Sequence, residues 1–231
     1  MTSSSTHYGT CGSRWETIRK INKEAVASMR QGRNKEAVQL FVKAFGSLEA
    51  ELDDTSAQPT SHHQWEQQPI SSSPEASTMF SKESIPVKAN VTAHVCCQAF
   101  LLPTEKSNPK DTAATLLFNA ALAYHLEALE KCDSQSLRTA LLIYHQSYEL
   151  MQHSRLRSSC RIFLLAAICN NIGQVCCEIF EPQEADSWYG ILRHLVQWPG
   201  FSTAVSISDL TFFHLSVFFF DHHSLAMAPA A

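Results

Sequence analysis

NNIGQVCCEIFEPQEADSWYGIL, Asn170 to Leu192, decides how the chain folds. In its second half Ala185, Trp188, Tyr189, Leu192 and then Val196 recur three and four apart, which lays one apolar stripe along a helix. Pro182 suits the first turn of that helix, where a missing N–H costs little. The first half extends an earlier run of the same spacing: Ile162, Leu165, Ala166, Cys169, Gly173 and Cys176. Two helices packed together are therefore expected. Cys176 falls on the face that packs its own pair, and Cys177 lies beside it, nearer the inner face. Both read as small apolar packing residues rather than as a redox or metal site.

The same arrangement occurs twice upstream. Trp15, Ile18, Asn22, Ala25 and Met29 form one stripe, broken by Gly32. Asn34 is placed to cap a second helix, carrying Ala37, Leu40, Phe41, Ala44, Phe45 and Leu48. Asp111 is placed to cap a long helix with Leu116, Leu117, Ala120, Ala121, Tyr124 and Ala128. Ser134 is placed to cap the next, with Leu137, Ala140, Leu141, Tyr144, Tyr148 and Met151. Each pair has a small residue in its first helix (Ala25, Ala121, Gly173) and an alanine in its second (Ala37, Ala140, Ala185). An aromatic follows four residues after each alanine: Phe41, Tyr144 and Tyr189. Small residues let two helices cross closely, and the aromatic fills the gap toward the next unit. The first and third pairs have their two small residues 12 apart and the middle pair 19 apart, so seven extra residues are expected between its helices.

This order of small residue, alanine and aromatic resembles the tetratricopeptide repeat, over roughly residues 15–50 and 112–198. Residues 15–50 are also similar to the three-helix microtubule-interacting-and-trafficking domain. The first resemblance implies an all-α fold, a short α-solenoid of antiparallel helix pairs, with a long linker and extended segment between the first and second pairs. The organisation expected is a disordered N-terminus (1–12), a first helix pair (13–52), a polar linker with an extended segment (53–110), a second and third pair (111–200), and a C-terminal apolar helix and tail (201–231). The linker rests on its Pro, Ser and Gln content. The extended segment rests on period-two alternation from Ile85 to Leu101. In the last part, Ser206 with Asp209 three residues on resembles a capping box, which favours a helix over a strand.

Hydrophobic residues make up 45% of the 231, enough for a core, so a mostly disordered chain is excluded. A net charge of −4 offers no electrostatic footprint for nucleic acid. The N-terminal residues lack the apolar core of a secretory signal. Residues 161–180 reach spanning length but are interrupted by Asn170, Asn171 and Gln174, and the Phe-rich stretch from Asp209 is too short, so no membrane role is expected. A cytoplasmic location follows, with the nucleus also open, and there the eight cysteines stay thiols. Without a secretory signal the sequon at Asn90 is not used. Ser73 before a proline reads as plain linker.

No C-x-x-C, H-E-x-x-H, nucleophile elbow or Gly-rich phosphate loop is present, so neither catalysis, a cofactor nor a metal is expected. His94, Cys96 and Cys97 alternate between faces, and the His62 and His222 doublets read as solvated. What remains is a binding surface. In the resembled family's register, the first helix of each pair lines a concave face. That implies Arg19, Asn22, Lys23, Val26 and Arg30 from the first unit; Asn119, Leu122 and His125 from the second; and Asn170, Asn171, Gln174 and Glu178 from the third. Asn and Gln amides both donate and accept, which suits an extended backbone whatever its side chains. Some members grip carboxylate tails of chaperones with a basic clamp. Asn119 matches its asparagine, but Ala167 and Asn171 stand where basic residues are needed, so that ligand is not expected. The expected function is a scaffold for a peptide or helix of a partner protein. The alternative is a subunit joined to a larger assembly, or to a second copy, through its apolar end, with Phe218 and Phe220 in the contact.

Overall fold

The computed structural model describes residues 11–56, 81–86, 94–152 and 159–226. The Ser-Pro site at Ser73, the His62 doublet, the sequon at Asn90 and the first ten residues lie outside them. Among the described residues are eight helices and one two-stranded sheet: α1 (Cys11–Arg30), α2 (Asn34–Ser56), β1 (Ser81–Ser84), β2 (Gln98–Leu101), α3 (Pro109–Lys131), α4 (Ser134–Gln152), α5 (Ser159–Glu178), α6 (Pro182–Gln197), α7 (Pro199–Ala204) and α8 (Ile207–Ala226). The protein is mostly helical. The helices pack in chain order, α1 on α2, α2 on α3, and so on to α6, with α7 and α8 laid against α5 and α6.

The three helix pairs share one turn. Gly32, Cys132 and Phe180 each take the left-handed conformation, with φ of 72°, 54° and 61°. The next N–H in each case reaches the carbonyl five residues back: Arg33 to Ser28, Asp133 to Ala128 and Glu181 to Cys176, at 2.8–3.0 Å. This closes the carbonyls that a helix end leaves unpaired. The middle turn is therefore no longer than the others, contrary to the expectation from spacing. The seven extra residues lengthen the helices instead. Counted from the left-handed residue, Ala121 lies four positions farther away than Ala25 or Gly173 does, and Ala140 three positions farther than Ala37 or Ala185. Seven residues divided this way add about one helical turn to each arm, so no face rotates out of register.

The small residues are buried at the crossings: Ala25, Ala37, Ala121, Ala140 and Ala185 have no exposed surface. At Gly173 a Cβ would sit 2.7 Å from the ring of Tyr189. Phe41, Tyr144 and Tyr189 fill the core beside them.

Several local expectations change. Asn108, not Asp111, caps α3, its side chain accepting from Lys110 N at 2.9 Å. Asp111 sits buried in the first turn and pairs with Arg161. Asp133 rather than Ser134 accepts from the first turn of α4, at Gln135 N. Asn34 Oδ1 is buried without a hydrogen-bond partner, so it caps nothing. Cys177 is exposed, not packed, while Cys176 is fully buried.

The alternation from Ile85 to Leu101 does not form one strand. Among its described residues Gln98–Leu101 is strand, and its partner is Ser81–Ser84, from the stretch read as linker. They pair antiparallel, Ser81 opposite Leu101 and Ser84 opposite Gln98. The polar side chains of β1 hid it, because an edge strand with one solvated face needs no apolar residues of its own. The final segment is helix α8, begun by Ser206, whose Oγ accepts from Asp209 N. Helix α5 is long and apolar enough to cross a membrane, and most of it is buried inside the molecule.

Candidate functional site

Four asparagines on one face gather around a single stretch of this chain's own backbone. Asn22 stands on α1, Asn119 on α3, and Asn170 and Asn171 on α5, all without exposed surface. The stretch is His94–Leu101, ending in β2. Phe100 N–H donates to Asn119 Oδ1 at 2.9 Å, and Asn119 Nδ2 returns a bond to Phe100 O at 2.8 Å. Cys96 N–H donates to Asn171 Oδ1 at 2.8 Å, and Asn171 Nδ2 returns one to Cys96 O at 3.2 Å. Each amide thus closes on one residue's N–H and C=O together, as a neighbouring strand would.

A second tier steadies the clamps. Asn22 Nδ2 donates to Phe100 O at 3.1 Å, and Asn22 Oδ1 accepts from Asn119. Asn170 Nδ2 donates to His94 O at 2.8 Å and to Asn171 Oδ1 at 3.1 Å. The Tyr144 hydroxyl accepts from Asn171 at 3.0 Å. Burial pushes the Tyr144 phenol well up, so it remains a neutral hydroxyl. A buried amide left unpaired costs on the order of 1–3 kcal/mol. An extended chain, or water, against this face therefore stabilises it, although Asn170 Oδ1 stays buried without a partner even with the chain in place.

The occupant's side chains are seated too. Phe100 is buried edge-on against Phe118 and Phe163, with centroids 5.3 and 5.7 Å away. Cys96 is buried, and desolvation pushes its thiol up to about 12. Above the hairpin, Asp209 at the start of α8 holds both strands: Lys82 of β1 at 2.6 Å and Gln98 of β2 at 2.9 Å. The Lys82 ammonium also lies 3.8 Å over the Phe163 ring. Farther along α8, Phe219 lies against His94, centroids 5.0 Å apart.

The other candidate residues are spread out. His125 is fully buried in the added turn of α3, its ring nitrogens without hydrogen bonds and Glu178 at 3.8 Å. Gln174 donates to Glu178 at 3.0 Å and lies 3.5 Å from the Tyr189 hydroxyl. Arg19 pairs with Glu16, and Arg30 with Glu83 of β1 at 2.7 Å. Arg19 and the exposed Lys23 line a surface pocket of ≈ 410 Å³ with Leu101 and Pro103. Phe218 and Phe220 stand on α8, Phe220 stacked on Tyr189 and Phe218 half-exposed. Sequence reading placed Tyr144 only as a packing aromatic and missed its hydrogen bond to Asn171; it also missed Lys82, Gln98 and Asp209, whose roles exist only once the hairpin and α8 meet.

Cys176, Glu181 and Glu184 bring their donor atoms within 4.8 Å of one another. Burial and the two carboxylates push the Cys176 thiol up to about 12, and the carboxylates suit the N-terminus of α6 on their own account. The paired cysteines of the opening stretch thus comprise one neutral packing thiol and one surface thiol.

No protein-family model, no curated protein and no solved structure matches this chain.

Proposed function

We propose that the protein is an interaction scaffold of tetratricopeptide-repeat-like helix pairs, without catalytic activity, which binds an extended segment of a partner protein on the concave face of α1, α3 and α5. One observation carries this. Asn119 and Asn171 each clamp the N–H and C=O of one residue, four positions apart along an extended chain. Such clamps bind backbone independently of side chains, so the face suits more sequences than the one now on it. With a net charge of −4, the partner is a protein rather than nucleic acid, and a cytoplasmic or nuclear location fits the free thiols.

The test is to pan a random nonapeptide library against the full chain and against the Asn119→Ala/Asn171→Ala double variant, each checked for helicity. Enrichment of peptides by the wild type that the double variant loses supports the reading. Equal enrichment by both, or none by either, overturns it.

A second reading has its own observation. Leu215, Phe218 and Phe219 of α8 remain 42–51% exposed, which favours a subunit that joins an assembly through this helix.

A further inference from the structure

The occupied face raises the question of what opens it. The hairpin that fills it belongs to an excursion between α2 and α3, helices that pack directly on each other. The helical stack is therefore continuous beneath the excursion, and the hairpin lies on a frame whose path does not depend on it. Its backbone is held by the four asparagines, and its first strand also by Arg30 of α1, which pairs with Glu83. The contacts holding it from above come from α8: Asp209 to Lys82 and Gln98, and Phe219 to His94. Asp209 sits at the first turn of α8, and that helix carries half-exposed Phe218 and Phe219 farther along.

We infer that His94–Leu101 is an internal ligand which an external extended peptide replaces, and that Asp209 is the catch that keeps it in place. This rests on the scaffold reading above and specifies the partner. The backbone clamps are indifferent to sequence, so selection falls to the buried seats, which Val95, Cys96, Ala99 and Phe100 fill, and above all to the two at the clamped residues. One is the small buried seat of Cys96. The other, four residues on, is the aromatic seat of Phe100 between Phe118 and Phe163. The partner segment is therefore an uncharged extended peptide with a small residue followed four positions later by phenylalanine. A protein whose binding-competent state is only fractionally populated binds its ligand more weakly by that fraction. The intact protein accordingly binds the peptide measurably but more weakly than an opened one, and loosening the catch raises its affinity without altering the seats.

The experiment uses the full chain and a fluorescent nonapeptide copying residues 94–102, with alanine at both cysteine positions. Amide exchange at Cys96 and Phe100 is followed in parallel. Lys82→Met is the main variant, because it breaks the catch and leaves Asp209 to begin α8; Asp209→Ala is the second. Both should speed exchange at the two amides and bind the peptide about tenfold more tightly than the wild type. That gain should vanish when the peptide's phenylalanine becomes alanine, or when Asn119→Ala is added to the protein. Unchanged exchange in both variants shows that Asp209 is not the catch and overturns the inference alone. So does peptide binding that depends on Asn119 but is equal in wild type and variants. Faster exchange with no peptide binding, or binding indifferent to Asn119, overturns the inference and the scaffold reading together.

Discussion

Replacing Asn119 with alanine strips Phe100 of one N–H partner and one of two carbonyl partners, and leaves Asn22 Oδ1 without its donor. Each buried group so exposed to loss costs on the order of 1–3 kcal/mol. Asn119→Ala should therefore lower stability by roughly 3 kcal/mol, read from the urea midpoint. A loss below about 1 kcal/mol would mean that water replaces the amide and the clamp contributes little. Gly173 offers a different measure at the same scale. A methyl there meets Tyr189 at 2.7 Å, and overpacking a close crossing costs roughly 1–3 kcal/mol. Gly173→Ala, like Ala185→Leu one helix away, should lower the midpoint by that amount, and an unchanged midpoint would show that the crossing is looser than the geometry states. The small residues were legible in the sequence, because a crossing restricts size at fixed positions. The asparagines were legible as groups able to hold an extended chain. That this chain itself supplies one was not, because the pairing joins residues as far apart as 78 positions.

Helix α8 and the hairpin depend on one carboxylate. Burial raises the Asp209 carboxyl, but hydrogen bonds from Lys82, Ser206 and Gln98 outweigh it and hold the group below its usual value near 3.8. A carboxyl depressed on folding adds stability that is complete above its unfolded value and lost as pH falls through the folded one. The urea midpoint of the wild type should thus exceed that of Asp209→Asn at neutral pH, and the gap should close between about pH 5 and pH 2. A gap independent of pH would show that the charge on Asp209 is not what stabilises the contact. The hairpin also reverses an expectation about the linker. Deleting residues 53–84 looks harmless from composition, yet it removes all of β1 and Lys82. The deletion should lower the melting temperature by several degrees, as about 2 kcal/mol does in a chain of this size. An unchanged melting temperature would restore the dispensable-linker reading. Composition misled because Ser81–Ser84 is polar throughout, and what orders it is a partner strand and a distant acid.

Across the whole molecule, the order of helices was readable and their lengths were not. Period and small residues marked six helices, while the seven additional residues of the middle pair looked like a loop. They are two added turns because Leu126, Leu137 and His125 bury on the faces those turns create. Such a choice between loop and helix is settled by neighbours, which a single pair's sequence does not display.

The aromatic end is where whole-molecule behaviour is most exposed to test. As a set, the phenylalanines of α8 look like one apolar patch, but the fold divides them. Phe213 is fully buried against Phe163 and Phe201. Phe220 stacks on Tyr189, centroids 4.3 Å apart and planes 18° apart, so it closes the α5–α6 pair. Phe218 and Leu215 face outward, Phe219 is half-exposed beside His94, and Leu215 and Phe218 border a groove of ≈ 570 Å³ between α6 and α8. Changing Phe218 and Phe220 together would therefore mix an interface effect with a core effect. Separated, they should diverge. Phe220→Ser should cost roughly 1–3 kcal/mol through lost packing and leave association unchanged. Leu215→Ser with Phe218→Ser should leave the urea midpoint within about 0.5 kcal/mol, the usual range for surface changes. The wild type should show a concentration-dependent rise in sedimentation coefficient, and the same pair should abolish it. A wild type that sediments as a monomer at every concentration, alone and in extract, would remove α8 as an interface.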